Sequence, residues 1–297
     1  MTTGNEALDP VSGEGPRVSP RTLVVFRRLL RARMAPFGLI ICGLIVFCAV
    51  LAPFVAPHEP SRTDIMTSLE GPSRSHWLGT DDLGRDILSR VIYGARISLL
   101  VGIVSVAIAL FFGAVIGVAS GYFGGVLDQV LMRVMDAILS FPALVLAIAI
   151  AAVLGAGLAA PMIAIAVVNV PVFARVARGQ VLTAREQEFV IAARTLGSNH
   201  GRIMFRHILP NIAPPLIVQT SLSVAFAILA EASLSFLGLG VSPPDASWGR
   251  MVSEGRQYLQ DAPWLVFGPG AAIFLAVMGL NFVGDGLRDA LDPRLRM

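Results

Sequence analysis

Apolar residues are gathered into long runs near 36–57, 97–121, 135–158, 160–177, 212–235 and 264–285, with short polar stretches between them. A bilayer core roughly 30 Å thick needs about 20 helical residues to cross it. The pattern therefore predicts an all-α, polytopic membrane protein with six transmembrane helices. The fourth run, PMIAIAVVNVPVFARV, is short and interrupted by Pro171, so the reading breaks it there. The longest polar interruption in the C-terminal two-thirds is TAREQEFVIAARTLGSNHGRIMFRHILPN, Thr183 to Asn211. Thr183 and Glu186 have capping-box spacing, which predicts a helix start. Phe189, Ala192, Ala193 and Leu196 follow at i, i+3, i+4 and i+7, one apolar face. Gly197 is placed to end that helix in the left-handed region. A second short segment follows, which Pro210 is expected to close. A half-apolar helix pair on the aqueous side of a membrane protein offers either a docking surface or a segment lying on its own bundle or on lipid.

Composition agrees with the periodicity. At 55% hydrophobic, 14% charged and mean hydropathy +0.73, the chain is not a soluble globular one. The arginines are unevenly placed. Arg17, Arg21, Arg27, Arg28, Arg31 and Arg33 precede the first run. Arg178, Arg185, Arg194, Arg202 and Arg206 lie in the 178–210 loop, and Arg288, Arg294 and Arg296 follow the last run. The 58–95 and 238–262 stretches are mixed or acidic, with Asp81, Asp82, Asp86, Asp245, Glu254 and Asp261. The positive-inside rule then places both termini and the 178–210 loop in the cytoplasm. The same rule accounts for the net charge of +3 better than nucleic-acid binding does. Residues 1–22 read as a disordered polar tail without a secretory signal, and Arg27-Arg28 lacks the small-residue cleavage site of a twin-arginine signal.

Absences bear on the chemistry. All 23 Lys+Arg residues are arginine. A phosphate-binding loop of the Walker type needs its lysine on the nucleotide, and a Schiff base needs one too. The chain therefore supplies neither, and any ATP would be bound by a partner. His58, His76, His200 and His207 lie in loops without HExxH spacing, and no His or Cys cluster is expected to hold metal. Asp81, Asp82 and Asp86 could suit a hard cation, but an amphipathic helix starting at Thr80 to Asp82 accounts for them as residues favoured at a helix N-terminus. Cys42 and Cys48, six apart on the first helix, fall on different faces and cannot bridge. An intramembrane enzyme would need paired aspartates, a Ser–His dyad or a metal cluster at membrane depth, and no such set is present in the sequence.

Within the runs, Gly113, Gly117 and Gly121 make two overlapping GxxxG steps, a stripe that faces either a neighbouring helix of the same chain or a second subunit. Asn169, Gln219, Ser221, Ser223, Glu231, Asn281 and Asp285 are the polar groups at or near membrane depth. They serve a pathway or bond one helix to another; for Glu231 the reading is structural, fixing the segment 235–244. Arg133 and Asp136 have the spacing of a local ion pair.

Four stretches carry a family resemblance. Ala192-Ala193, Gly197 and then Leu209-Pro210 resemble the EAA loop of ABC-importer permeases, although Ile191 stands at the motif's glutamate and His207 at its usual isoleucine. HWLGTDDLGRDILSRVIYGARISLLVG, His76 to Gly102, resembles the signature ahead of the core helices in C-type permeases of dipeptide and oligopeptide importers (DppC/OppC-like). EASLSFLGLGVSPPDASWGRM, Glu231 to Met251, and FPALVLAIAI at 141–150 are similar to the same family. The resemblance runs from about Met34 onward. It implies the ABC type I importer fold: a cytoplasmic tail 1–33, a first helix and extracytoplasmic loop 34–95, a core 96–288 with a coupling loop 183–210, and a tail 289–297. In that family Phe189, Ala192, Ala193, Leu196, Gly197, Leu209 and Pro210 would belong to the loop that docks on the ATPase. The implied partners are a homologous B-type permease, two ABC ATPase subunits or domains, an extracytoplasmic substrate-binding protein and membrane lipid, with no nucleic acid. The chain itself would catalyse nothing and bind no cofactor; ATP and Mg would sit in the partners. Short peptides are the implied cargo, with nickel or another small solute as the alternative.

Overall fold

The computed structural model describes residues 27–30 and 32–291. The expected tail over 1–22 lies outside them, as do Arg17, Arg21, Arg31, Arg294 and Arg296. The described residues form no strand; a single isolated antiparallel bridge pairs Thr80 with Asp86.

The first apolar run forms α1, Ala35–Val50, followed by one further turn, Ala52–Val55. The second forms α2, Ile87–Phe123, which starts ten residues before the apolar run. The expected start at Thr80 to Asp82 is not the one used. Asp86 is the N-cap, its side chain accepting from the Ser89 amide, so the carboxylate nearest the helical residues sets the boundary. At about 1.5 Å per residue, the 37 residues of α2 run about 55 Å, well beyond a bilayer core.

The third run does not form one helix. α3, Gly125–Leu139, and α4, Ala143–Leu154, meet at 90°. Pro142 stands between them in extended conformation (φ −56, ψ 125) and has no amide to continue the helix. The fourth run does the opposite of what its proline suggests. α5, Ala159–Ala184, passes unbroken through a buried Pro171. Inside a packed bundle the neighbouring helices can hold the segment straight despite one lost bond.

Two other boundaries also differ. Thr183 lies in the last turn of α5, its hydroxyl donating to the Gly179 carbonyl at 3.4 Å, and caps nothing. The next helix, α6, is Glu188–Thr195, with Gln187 ahead of it and no side-chain cap. Pro210 does not close a segment. A helical turn at His200–Arg202 and a wider, π-helical stretch Ile203–Ile208 lead directly into α7, Leu209–Phe236, with Pro210 in its first turn. α8, Trp248–Gly255, and α9, Trp264–Leu291, complete the described chain.

Among the described residues, four helices are long and apolar enough to cross a membrane, five if the bent α3/α4 pair is one broken span, and α1 is a shorter apolar helix. Large side chains such as Phe37, Leu44, Phe47, Phe111, Phe112, Phe267 and Phe274 point outward. For a bundle solvated by lipid that is the expected surface.

The most extensive helix pairing is α2 with α5. The glycine stripe makes it. A Cβ on Gly113 would come within 2.5 Å of Phe173 Cβ, one on Gly117 within 2.3 Å of the Ala174 carbonyl oxygen, and one on Gly121 within 2.9 Å of Val181 Cβ. The stripe thus faces α5 of the same chain, and backbone approaches backbone. α7 packs on α9, α2 and α5, and α9 packs on α1.

At the start of α2 the chain 58–86 folds over the helix end. Arg85 Nε donates to Asp81 at 2.6 Å, Arg90 reaches Glu254 at 3.2 Å, and Arg250 Nε reaches the same carboxylate at 2.7 Å. The Trp248 and Trp264 indoles donate to the carbonyls of Val91 and Thr80. These contacts join the loop, α8 and the head of α2 into one block.

Candidate coupling surface

α6 is rooted on one side and bare on the other. Val190 and Ala193, three apart, are buried in the same core cluster as Phe173, Val181, Ile203 and Ile208. Phe189, Ala192 and Leu196 face outward; Phe189 is 38% exposed and Leu196 85%. The apolar face drawn from spacing is therefore split. Ala193 belongs to the chain's own core, and Ile191, read as a departure from the motif, joins the outer surface. Gly197 ends the helix at φ +74, with its amide on the Arg194 carbonyl and the Ser198 amide on the Ala193 carbonyl. That pair of bonds is a Schellman turn, and the positive φ is why glycine stands there. Leu209 is half-buried and Pro210 exposed beyond the turn, and Phe205 adds another exposed ring.

The loop is fastened to the far end of α2. Tyr122 Oη and His200 Nδ1 are 2.8 Å apart, Arg185 donates to the Gly121 carbonyl at 3.0 Å, and the Arg194 guanidinium lies 5.9 Å from the centre of the Tyr122 ring. α3 is fastened to α5 by Arg178, which donates to both oxygens of Asp128 at 2.6 and 2.7 Å; Ser120 also donates to that carboxylate. Forked arginine–carboxylate pairs are among the stronger and more directional polar contacts. None of these partners could be found from spacing, because 50 residues separate Asp128 from Arg178 and 78 separate Tyr122 from His200. Asp136 likewise pairs with Arg175 at 2.6 Å, not with Arg133. Its neighbour in space comes from α5, not from its own helix.

Asn169, Gln219, Ser221 and Glu231, the polar groups of the apolar runs, each take part in hydrogen bonds. Asn169 is buried and donates to the Ile165 carbonyl of its own helix at 2.8 Å. Gln219 donates to Ser223 at 3.1 Å, and Ser221 to the Val218 carbonyl, all on α7. Glu231 is fully buried; it accepts from Ser98 on α2 at 3.0 Å and from Ser235 at 2.7 Å. Asn281 is half-buried and Asp285 exposed. Cys42 and Cys48 are free and half-buried on α1. His58 and His76, far apart in sequence, come together beside Asp86.

Comparison with known proteins bears on this geometry. Residues 109–297 match the family model of the binding-protein-dependent transport system inner membrane component. The chain belongs to that family of permeases. Residues 22–72 match the N-terminal transmembrane domain of oligopeptide transport permease C. This permease is 48% identical, over 271 residues, to the dipeptide transport system permease protein DppC of Alkalihalophilus pseudofirmus, covering 91% of this chain and 89% of that protein. It is 48% identical over 265 residues to the di/tripeptide transport system permease protein DppC of Pseudomonas aeruginosa, covering 87% and 88%. It is 42% identical over 289 residues to the oligopeptide transport system permease protein OppC of Bacillus subtilis, covering 96% and 95%. The matched family is one of transport permeases.

Proposed function

We propose that this permease forms half of the translocation pathway of an ATP-driven importer of short peptides in the inner membrane. The observation that carries the reading is α6. It is a short helix held by Val190 and Ala193 from within and presenting Phe189, Ile191, Ala192 and Leu196 to the outside. A helix with one anchored and one bare apolar face suits a groove on a partner. The peptide cargo follows the printed names of the relatives. The partners in this reading are a homologous second permease, two ATPase subunits or domains that bind ATP and Mg, and an extracytoplasmic binding protein.

Topology follows from α2. The arginine-rich 183–210 loop is tied to its Phe123 end, and the 58–86 loop folds over its Ile87 end, about 55 Å away. With positive charge inside, α6 faces the cytoplasm, where ATP is. Taking α1 with its extra turn and α3/α4 as one span each gives six crossings and both termini inside. ATP-driven closure of the partners would push on α6, and the bundle would alternate between inward and outward access.

The test is reconstitution in proteoliposomes. The purified chain alone should neither hydrolyse ATP nor take up peptide. Uptake should appear when the second permease, the ATPases and the binding protein are added, and vanish when the ATPase's phosphate-loop lysine is replaced. Peptide uptake by this chain alone under a proton gradient would overturn the reading.

A further inference from the structure

At the head of α2, three side chains from three separate stretches of chain aim ring nitrogens and a carboxylate oxygen at one point. His76 Nδ1 is 3.0 Å from Asp86 Oδ1, His58 Nδ1 is 3.7 Å from the same oxygen, and the three potential ligand atoms lie within 4.8 Å of one another. The imidazole rings are 4.7 Å apart, tilted by 32°. We infer that His58, His76 and Asp86 form a binding site for a divalent zinc-class cation that joins the chain leaving α1 to the first turn of α2.

Four observations support it. Zinc bonds to imidazole nitrogen and carboxylate oxygen are about 2.0–2.2 Å, so two ligands of a tetrahedral ion stand roughly 3.3–3.5 Å apart. The two measured separations bracket that edge. The longer of them is outside hydrogen-bond reach, and His58 Nδ1 is a buried nitrogen with no hydrogen-bond partner. A cation between the groups would give that nitrogen a partner.

Third, the ligands are held from behind. Asp86 divides its duties: Oδ2 accepts from the Ser89 amide at 2.8 Å and the Ser89 hydroxyl at 2.6 Å, which leaves Oδ1 for the histidines. The Ser89 hydroxyl also accepts from the His58 amide at 3.0 Å, and the His76 amide donates to Ser73 at 3.1 Å. Such outer contacts orient metal ligands. Fourth, Asp86 is buried, while the His76 and His58 side chains are 15% and 33% exposed, so an ion can enter and keep a water as its fourth ligand.

Two histidines and one carboxylate suit zinc better than a hard cation, which prefers all-oxygen ligands. The 17 residues between His58 and His76 fit no short metal motif, which is why the sequence alone points away from metal. The ion here would be a staple and not cargo. It would fix His58, eight residues past the end of α1, on the N-cap of the longest helix.

The experiment uses the tag-free full chain in detergent, stripped with a chelator and dialysed against zinc. Mass-spectrometric metal analysis should find about one zinc per chain. Cobalt should give the visible absorption of a tetrahedral site. His58→Ala and His76→Ala should each abolish both signals, His207→Ala should keep both, and Ser89→Ala should weaken zinc binding about 10–100-fold. No zinc or tetrahedral cobalt signal in the wild-type chain would overturn the inference, whatever the variants do. Zinc retained at full stoichiometry by both single-histidine variants would overturn it equally.

Discussion

At Gly117 the smallest possible side chain is already too large: a Cβ there would sit 2.3 Å from the Ala174 carbonyl oxygen and 2.7 Å from Ala177 Cβ. Both neighbours are on the facing helix, and one is backbone, so neither can swing aside. Gly117→Val should cost at least about 1–3 kcal/mol, the usual range for overpacking. It should appear as a lowered unfolding midpoint in detergent and poor yield. Gly43→Ala, where nothing lies within 4 Å, is the control and should leave both unchanged. Glu231 makes a second residue-scale case. Its carboxylate serves hydroxyls on two helices, Ser98 and Ser235. Glu231→Ala should strand both and lower stability by about 1–3 kcal/mol, while Glu231→Gln, which keeps an acceptor, should recover most of it. Equal losses from the two variants would mean that these bonds contribute little.

At the scale of elements, α6 separates two effects that one substitution would confuse. Ala193 is 7% exposed within the core cluster, so Ala193→Asp buries an unpaired charge and should unfold or misinsert the chain. Leu196→Asp changes only the outer surface. It should leave the unfolding free energy within about 0.5 kcal/mol of wild type and still abolish substrate-stimulated ATP hydrolysis by the assembled complex. Normal stimulation with Leu196→Asp would remove α6 from the docking surface. These elements also show what sequence alone could reveal. Gly197 was legible because a left-handed residue after an amphipathic turn has a local signature. Which side of α6 is bare was not, since Val190 and Ala193 are buried by residues of α5 and the 203–208 stretch. The expected breaks at Pro171 and Pro210 are not the ones the chain makes. Pro142 breaks a span, whereas Pro171 and Pro210 sit inside and at the start of continuous helices. Proline's local effect is fixed, but neighbouring helices decide whether the missing bond bends the chain. Thr183 fits a capping box by spacing, yet α5 simply runs through it.

For the whole molecule, the uneven arginines and the geometry of α2 make one topology testable by labelling. With Cys42 and Cys48 replaced, a single cysteine at position 62 should react with an impermeant reagent added outside intact cells, and one at 200 should react only after the membrane is opened. Both positions are on the surface in the described chain, so a lack of reaction would report sidedness and not burial. Labelling at 200 from outside would invert the arrangement. The architecture as a helical membrane bundle was readable from apolar runs alone. The contacts that set its interior, such as Asp128 with Arg178 or Asp136 with Arg175, were not, because they join distant runs with no shared local pattern.

The continuity of α2 has a mechanical consequence. It has no proline and no break between Ile87 and Phe123, and its two ends are pinned to different things. The Phe123 end holds the loop that carries α6, through Tyr122 and the Gly121 carbonyl; the Ile87 end holds the block of Asp81, Arg85, Arg90 and Glu254. A stiff rod about 55 Å long behaves as a lever. If it rocks about its middle by roughly 10°, each tip travels about 5 Å in opposite directions, a distance close to one helical turn. A nudge delivered to α6 therefore need not be relayed from residue to residue through the bilayer. Whatever displaces one tip of such a rod swings the other with it.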